Sequence, residues 1–420
     1  MCCEGKIPNT LANNPWPNAY LVAVLPPPVG VTYTLAVPWL FQLRADEALV
    51  MVGNTPPAVR YYSYQTFATS IPGLPGATGV AVGDTINIST VNTLGPDRFN
   101  QPIVYILTAN RTTEQLVRAA VHAAAYPDEI VNVEPLAPVI APPGYGPNGS
   151  TYYLAHRATV AESQETLNAY IKNPPYRVFR VTPSTPLAAD PEPVPVLRVQ
   201  GTGHTEMELF PAVRRLRQAI LDKYAGKKAL EYRTNVQVED PYPGLQQQLS
   251  EYGATRDTNY LSSYPNFYMP DTLDQFVIVY GVNHRASGKA TYASISIYAD
   301  ATRLFGIDTI FDRDYAGSAA QYLPPGDPDA DKLFAVKLAR RCNSEPFCFE
   351  IKQPDFVDIN DQPYACTPPL DLNAAEIFLV FRGYMEPATM VGPDKNEIVY
   401  ERVIMFGPPH SNYLSAIGKQ

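Results

Sequence analysis

Val59-Arg60-Tyr61-Tyr62-Ser63-Tyr64-Gln65-Thr66-Phe67 follows Thr55-Pro56-Pro57 and carries the β-branched and aromatic residues that fit a pleated, half-buried surface. The run before it, Ala48-Leu49-Val50-Met51-Val52, stops at Gly53-Asn54, so turn chemistry separates two short strand signals. The same pattern recurs at 31–37, 85–90, 103–107, 176–181, 276–280, 291–298, 333–336, 377–381 and 398–400. Short runs bounded by Gly, Pro and Asn predict a mainly β chain with accessory helices (α+β), built as two antiparallel β-sandwich or jelly-roll-like modules.

Three helices are expected. Thr112-Thr113-Glu114-Gln115 has the form of a capping box, followed by an apolar stripe of Leu116, Val117, Ala120, Val121 and Ala124 and a stop at Pro127. A second helix is expected from Thr159, with Glu162 three residues on, to Asn173-Pro174-Pro175. A third spans 208–225, where Leu209, Val213, Leu216, Ile220 and Tyr224 recur at helical spacing and Pro211 falls in the first turn. Residues 134–150 hold five prolines and three glycines, and 182–195 are again proline-rich. These breaks divide the chain into a β-rich segment at 1–140 with one helix, a proline-rich connection at 141–270 with two helices, and a β-rich segment at 271–420.

Hydrophobic residues make up 45% of the 420, enough for a real core, and the net charge of -9 argues against a nucleic-acid partner. The apolar run from Ala19 to Leu25 ends at Pro26-Pro27-Pro28, short of the roughly 20 residues a membrane span needs. The N-terminus lacks a basic leader, so an exported protein would have lost its leader before this sequence begins. Cys342 and Cys348 flank Asn-Ser-Glu-Pro-Phe and are placed to bridge, which implies an oxidising compartment; buried thiols are the alternative, and Cys2, Cys3 and Cys366 complete the five cysteines. Asn87, Asn110 and Asn148 head glycosylation sequons.

His204-Thr205-Glu206-Met207-Glu208 places an imidazole and carboxylates just before a helix. In an extended segment His204 and Glu206 would share one side, half of a transition-metal site completed by His156 or His284. The bland reading is a capped helix start with acids at its positive end. Asp327, Asp329 and Asp331 offer calcium a set of hard oxygens, as do Asp355, Asp358, Asn360 and Asp361; solvated acidic turns are the alternative. Gly144-Tyr145-Gly146-Pro147-Asn148-Gly149 has dinucleotide-site letters, but its prolines make it a glycine turn. Tyrosine is abundant, with Tyr61, Tyr62 and Tyr64 together and Tyr252, Tyr260, Tyr264 and Tyr268 in a second cluster. Such residues either form binding surfaces or fill half-buried strand positions.

Ala58-Val59-Arg60-Tyr61-Tyr62-Ser63-Tyr64-Gln65 resembles a strand motif of uncharacterised, mostly bacterial two-domain β-sandwich proteins. The resemblance covers that strand and its neighbours, does not extend to 376–406, and transfers no catalytic residue. It implies two β domains of unknown activity. The expectation is an extracellular or cell-surface binding or structural protein that self-associates and takes a carbohydrate or protein ligand. Two rivals stand beside it: a metal-dependent enzyme using His204 and Glu206, and a calcium-stabilised carbohydrate-binding module.

Overall fold

Strict alternation decides where each strand's side chains go, because successive residues point to opposite faces. The computed structural model describes residues 19–31, 35–74, 79–238, 253–271, 274–300, 305–353 and 369–407, and it is mainly β with a few helices. Cys2, Cys3, Tyr252, Cys366, His410 and the acidic loop from Asp355 to Asp361 lie outside the described residues, as does part of 31–37. The described residues form two compact units, one from 19–199 and 238–257, the other from 200–237 and 258–407.

In the first unit one sheet runs in the order β1 (Ala19–Val22), β8 (Thr151–Ala161), β3 (Val59–Ser70), β4 (Val80–Ala81), with β5 (Ile86–Asn87) also paired to β3. The second runs β7 (Val131–Pro135), β6 (Pro102–Thr108), β2 (Ala48–Asn54), β9 (Tyr176–Val181). Leu49, Met51, Ile103, Tyr105 and Leu107 from the second sheet pack with Tyr62, Tyr64, Tyr152 and Leu154 from the first. The alternate residues Ala48, Val50, Val104 and Ile106 form another core with Val117 and Val121 of α1 (Arg111–Ala123). The second sheet is therefore covered on both faces, which explains its continuous apolar runs. α1 links β6 to its parallel neighbour β7, the crossover that parallel pairing requires.

The tyrosines of β3 divide by parity. Tyr62 and Tyr64 join the core between the sheets, while Tyr61 donates to Asp257 Oδ2 at 2.8 Å. All three are buried, so they fill β positions and do not form an exposed binding surface.

In the second unit nine of the ten strands of one curled sheet run in the order β15 (Phe305–Phe311), β14 (Tyr292–Ala299), β18 (Glu376–Tyr384), β11 (Tyr260–Tyr264), β10 (Lys228–Val238), β19 (Arg402–Gly407), β13 (Phe276–Val282), β16 (Leu333–Ala339), β17 (Cys348–Glu350). β12 (Phe267–Tyr268) adds to β18. Register puts Val277 and Val279 of β13 on one face with Met405 and Val403 of β19, and Phe276 and Ile278 on the other with Phe406 and Ile404. Both sets belong to one core with Ile295, Ile297, Leu379, Phe381 and with Leu216 and Ile220 of α3 (Phe210–Lys223).

Several expected elements shift. α1 is capped by Asn110, whose side chain accepts from the Thr113 amide, and its buried face is Thr113, Val117 and Val121; Leu116 is exposed. Thr159 does not start a helix. It lies in β8 opposite Tyr61, and α2 (Gln164–Lys172) begins after Ser163, whose hydroxyl accepts from the Thr166 amide. Residues 398–400 precede β19 and are not strand, and no strand occupies the described part of 31–37.

Cys342 and Cys348 form a disulfide with Cα atoms 5.5 Å apart. The loop it closes is short, so the chain-entropy gain is about 2 kcal/mol. A Cys342→Ala/Cys348→Ala variant should lose about that much in urea unfolding; unchanged stability would show that the bridge adds nothing.

Candidate functional site

Among the described residues, a concave site opens in the first unit where the edge strands β1 and β9 meet. It is a cavity of about 280 Å³ lined by apolar side chains including Leu21, Met51, Leu154 and Val178, with His156 and Tyr176 as its hydrogen-bonding side chains. Val22 and Val24 also line it and are 40% and 56% exposed. Register explains the convergence: Leu21 pairs with His156 across β1 and β8, and Met51 pairs with Val178 across β2 and β9. Arg180 of β9 donates to the Pro26 carbonyl at 2.8 Å and to Glu47 Oε2 at 2.9 Å. It thereby ties the segment after β1 to β9 beside the cavity.

Tyr176 depends on Gly53. The two are paired across β2 and β9, and a Cβ at position 53 would lie 2.2 Å from the Tyr176 ring and 2.3 Å from the Pro175 carbonyl oxygen. Only glycine lets this ring lie against the strand.

His156 stacks on Tyr64 with ring centroids 4.5 Å apart. Its Nδ1 lies 3.2 Å from the Ser63 carbonyl oxygen. A carbonyl only accepts, so Nδ1 carries the proton and Nε2 the lone pair. Burial pushes the His156 pKa down to about 3, so the ring stays neutral at physiological pH. Tyr64 and Tyr176 hydroxyls are 2.9 Å apart, Tyr176 also meets Tyr170, and Tyr170 donates to the Asn54 carbonyl at 2.9 Å. Burial raises all three phenols, which remain protonated.

The second unit holds a buried charge cluster. His284 Nδ1 donates to Glu206 at 2.9 and 3.0 Å, and Nε2 donates to Glu401 Oε1 at 3.1 Å. Burial alone would lower the His284 pKa, but the charges of Glu206 and Glu401 outweigh it and hold the imidazole well above its usual value. Burial would raise Glu206, but the His284 charge and hydrogen bonds from His284, Ser287 and the Val399 amide hold it below the usual carboxylate range. Nearby Lys289 donates to Glu386 at 2.7 Å and to Glu397 at 2.5 Å. The Thr202 and Gly203 amides also donate to Glu397, at 2.9 and 2.6 Å.

This cluster separates the residues that the sequence paired. Glu206 is buried on His284, whereas His204 is exposed, so the two do not share a face. His156 belongs to the other unit's core. Asp327 and Asp329 both receive Arg215, with its Nη2 2.9 Å from Asp329 Oδ2, and Asp331 is exposed. Among the described residues, no three His, Cys, Asp or Glu side chains converge to hold a metal ion.

Two of the three sequons are closed by packing. Asn87 is buried with its amide donating to Asp257 Oδ1 at 2.9 Å, and buried Asn110 donates to the Ala188 carbonyl at 3.0 Å. Buried this deeply, neither nitrogen has room for a glycan. Asn148 is exposed at the glycine turn, where residues 146–148 form a single 3-10 turn and no helix follows to receive a pyrophosphate.

Met51, Leu154, Tyr170, Tyr176 and Val178 were not singled out by the sequence reading. A signal for part of the site was present: Tyr152, Leu154, His156 and Ala158 alternate along one face of a strand, which places an imidazole among apolar neighbours.

No family model and no curated protein matches the chain. Among solved structures it is similar to the VPA0106 protein of Vibrio parahaemolyticus, with 11% identity over 87% of each chain and a TM-score of 0.38. It is also similar to an uncharacterised protein of Burkholderia cenocepacia, with 10% identity, a TM-score of 0.39, and 96% of this chain and 85% of that one covered. The chain thus resembles uncharacterised proteins at low identity.

Proposed function

We propose that this chain is a binding protein that takes an uncharged apolar group into the cavity between β1 and β9. The observation that carries the reading is the lining itself: aliphatic side chains surround one neutral imidazole and one phenol. A hydrophobic cleft with a few polar groups is the usual form of a small-molecule site. Exposed Val22 and Val24 at the cavity leave it reachable from solvent. The Cys342–Cys348 bridge supports an oxidising compartment, and with it an extracellular or cell-surface setting.

Val178 is half-buried, so Val178→Trp should fill the space without entering the deep core. Propylbenzene should bind the wild-type chain in a calorimetric titration, and the Val178→Trp variant should bind it at least about tenfold more weakly. Equal affinity for the two proteins would place the ligand elsewhere and remove this reading.

A further inference from the structure

We infer that the ligand of the β1–β9 cavity is an apolar molecule carrying one uncharged hydroxyl, an alcohol or phenol, which donates its proton to His156 Nε2. The inference rests on the binding reading above and adds the chemistry that selects the ligand.

Counting protons in the tyrosine network leads there. The Asn54 carbonyl can only accept, so Tyr170, 2.9 Å away, spends its single proton on it. Tyr176 then donates to Tyr170, and Tyr64 donates to Tyr176. All three phenolic protons are now committed. Tyr170 Oη lies 3.5 Å from His156 Nε2, at the edge of hydrogen-bonding distance, and has no proton left for it. Nδ1 is turned to the Ser63 carbonyl of β3, so Nε2 is on the ring edge that faces away from that strand's backbone. His156 is 4% exposed and lines the cavity. An acceptor in that position, held without a proton donor, favours a ligand that supplies one and penalises a ligand that does not.

Size and charge narrow the class. An engineered cavity of about 150 Å³ holds benzene. The present cavity of about 280 Å³ therefore suits a ring with a short chain, or a branched chain of similar bulk. No cationic or anionic side chain lines it, so a carboxylate or amine would lose its hydration without a partner. A neutral hydroxyl meets the one requirement of the lining.

The test compares 4-propylphenol, 4-propylanisole and propylbenzene by calorimetric titration of the full chain. The phenol should bind about tenfold more tightly than both analogues, since the anisole keeps an oxygen but lacks the proton. In His156→Phe, which keeps a ring against Tyr64 and removes Nε2, the ratio of 4-propylphenol affinity to propylbenzene affinity should collapse to within about twofold, and a ratio still near tenfold overturns the assignment to Nε2. The wild-type series decides the matter even where that variant fails to fold. Equal binding of all three ligands to the wild-type chain, or anisole binding as tightly as the phenol, overturns the hydroxyl assignment and leaves the apolar cavity standing. Binding of none of the three overturns both.

Discussion

Between pH 7 and pH 5 the wild-type chain should gain on the order of 4 kcal/mol of unfolding free energy relative to a Glu134→Gln/Asp257→Asn variant. Both carboxyls are buried in the first unit and away from the cavity lining. Glu134 accepts from Gln65, Tyr105 and the Thr66 amide, and Asp257 accepts from Tyr61 and Asn87. Burial is the leading cause that raises each to about 7, and for Asp257 it outweighs the hydrogen bonds from Tyr61 and Asn87 and the charge of Arg157. A raised folded pKa means that the folded chain binds a proton which the unfolded chain gives up. The resulting stability is complete below the unfolded values, near pH 4, and is lost as the pH rises to about 7. His156 acts the other way: its depressed pKa contributes stability above about 6.5 that is lost as the pH falls toward 3. Two acids against one imidazole leave the wild type stabilised by mild acid. In the double variant His156 remains, so that first-unit contribution should invert. Urea unfolding at pH 5, 6, 7 and 8 reads the effect, and parallel profiles for the two proteins would rule it out. The amides keep the accepting oxygen, and each new N–H has a phenol oxygen beside it, so the variants should fold.

Legibility in the sequence followed the distance over which each feature is encoded. β2, β3, β6, β9 and β13 are local runs of β-branched and aromatic residues, and turn residues at their ends made them readable. β10 was missed although Leu230, Tyr232, Thr234 and Val236 alternate with Glu231, Arg233, Asn235 and Gln237. Its charged outer face hid a strand that period-2 counting recovers. The error at Thr159 has a similar origin: a hydroxyl three residues before a carboxylate reads as a helix start, but pairing with Tyr61 holds it in β8, and Ser163 is the cap. The site is harder to see. His284 is 78 residues from Glu206 and 117 from Glu401, and nothing local announces either contact. The cavity needs β1, β2, β8 and β9 in register, and Gly53 matters only because Tyr176 lies against it. Sequence spacing therefore suggested a site at His204 and Glu206, where the fold buries Glu206 and leaves His204 exposed.

That separation sets the second large effect. Glu206→Ala should destabilise the chain by about 3–5 kcal/mol, whereas His204→Ala should change stability by less than about 0.5 kcal/mol. The Glu206 carboxylate accepts from His284 Nδ1, the Ser287 hydroxyl and the Val399 amide, and thus joins three segments distant in sequence. Removing it leaves His284 Nδ1 and the Val399 amide without that acceptor, returns the Ser287 hydroxyl to the His284 carbonyl, and leaves His284 with Glu401 as its remaining counter-charge. Breaking one side of a buried ion cluster costs more than a surface pair ever returns, because the remaining charge stays out of water. The pH dependence follows from the direction of each shift. Glu206 lies below its usual pKa, so its contribution is present above about 4.5 and is lost as acid protonates the carboxylate. His284 lies above its usual pKa, so its contribution is complete below about 6.5 and is lost as alkali removes the proton. Glu206→Gln keeps the size but removes the charge that holds His284 up, and should move the alkaline loss to lower pH. Urea unfolding of the wild type and the three variants from pH 3 to pH 10 tests the scheme. If His204→Ala costs as much as Glu206→Ala, the two act as one site and the buried-cluster account fails; if Glu206→Ala matches the wild type, the cluster holds nothing together.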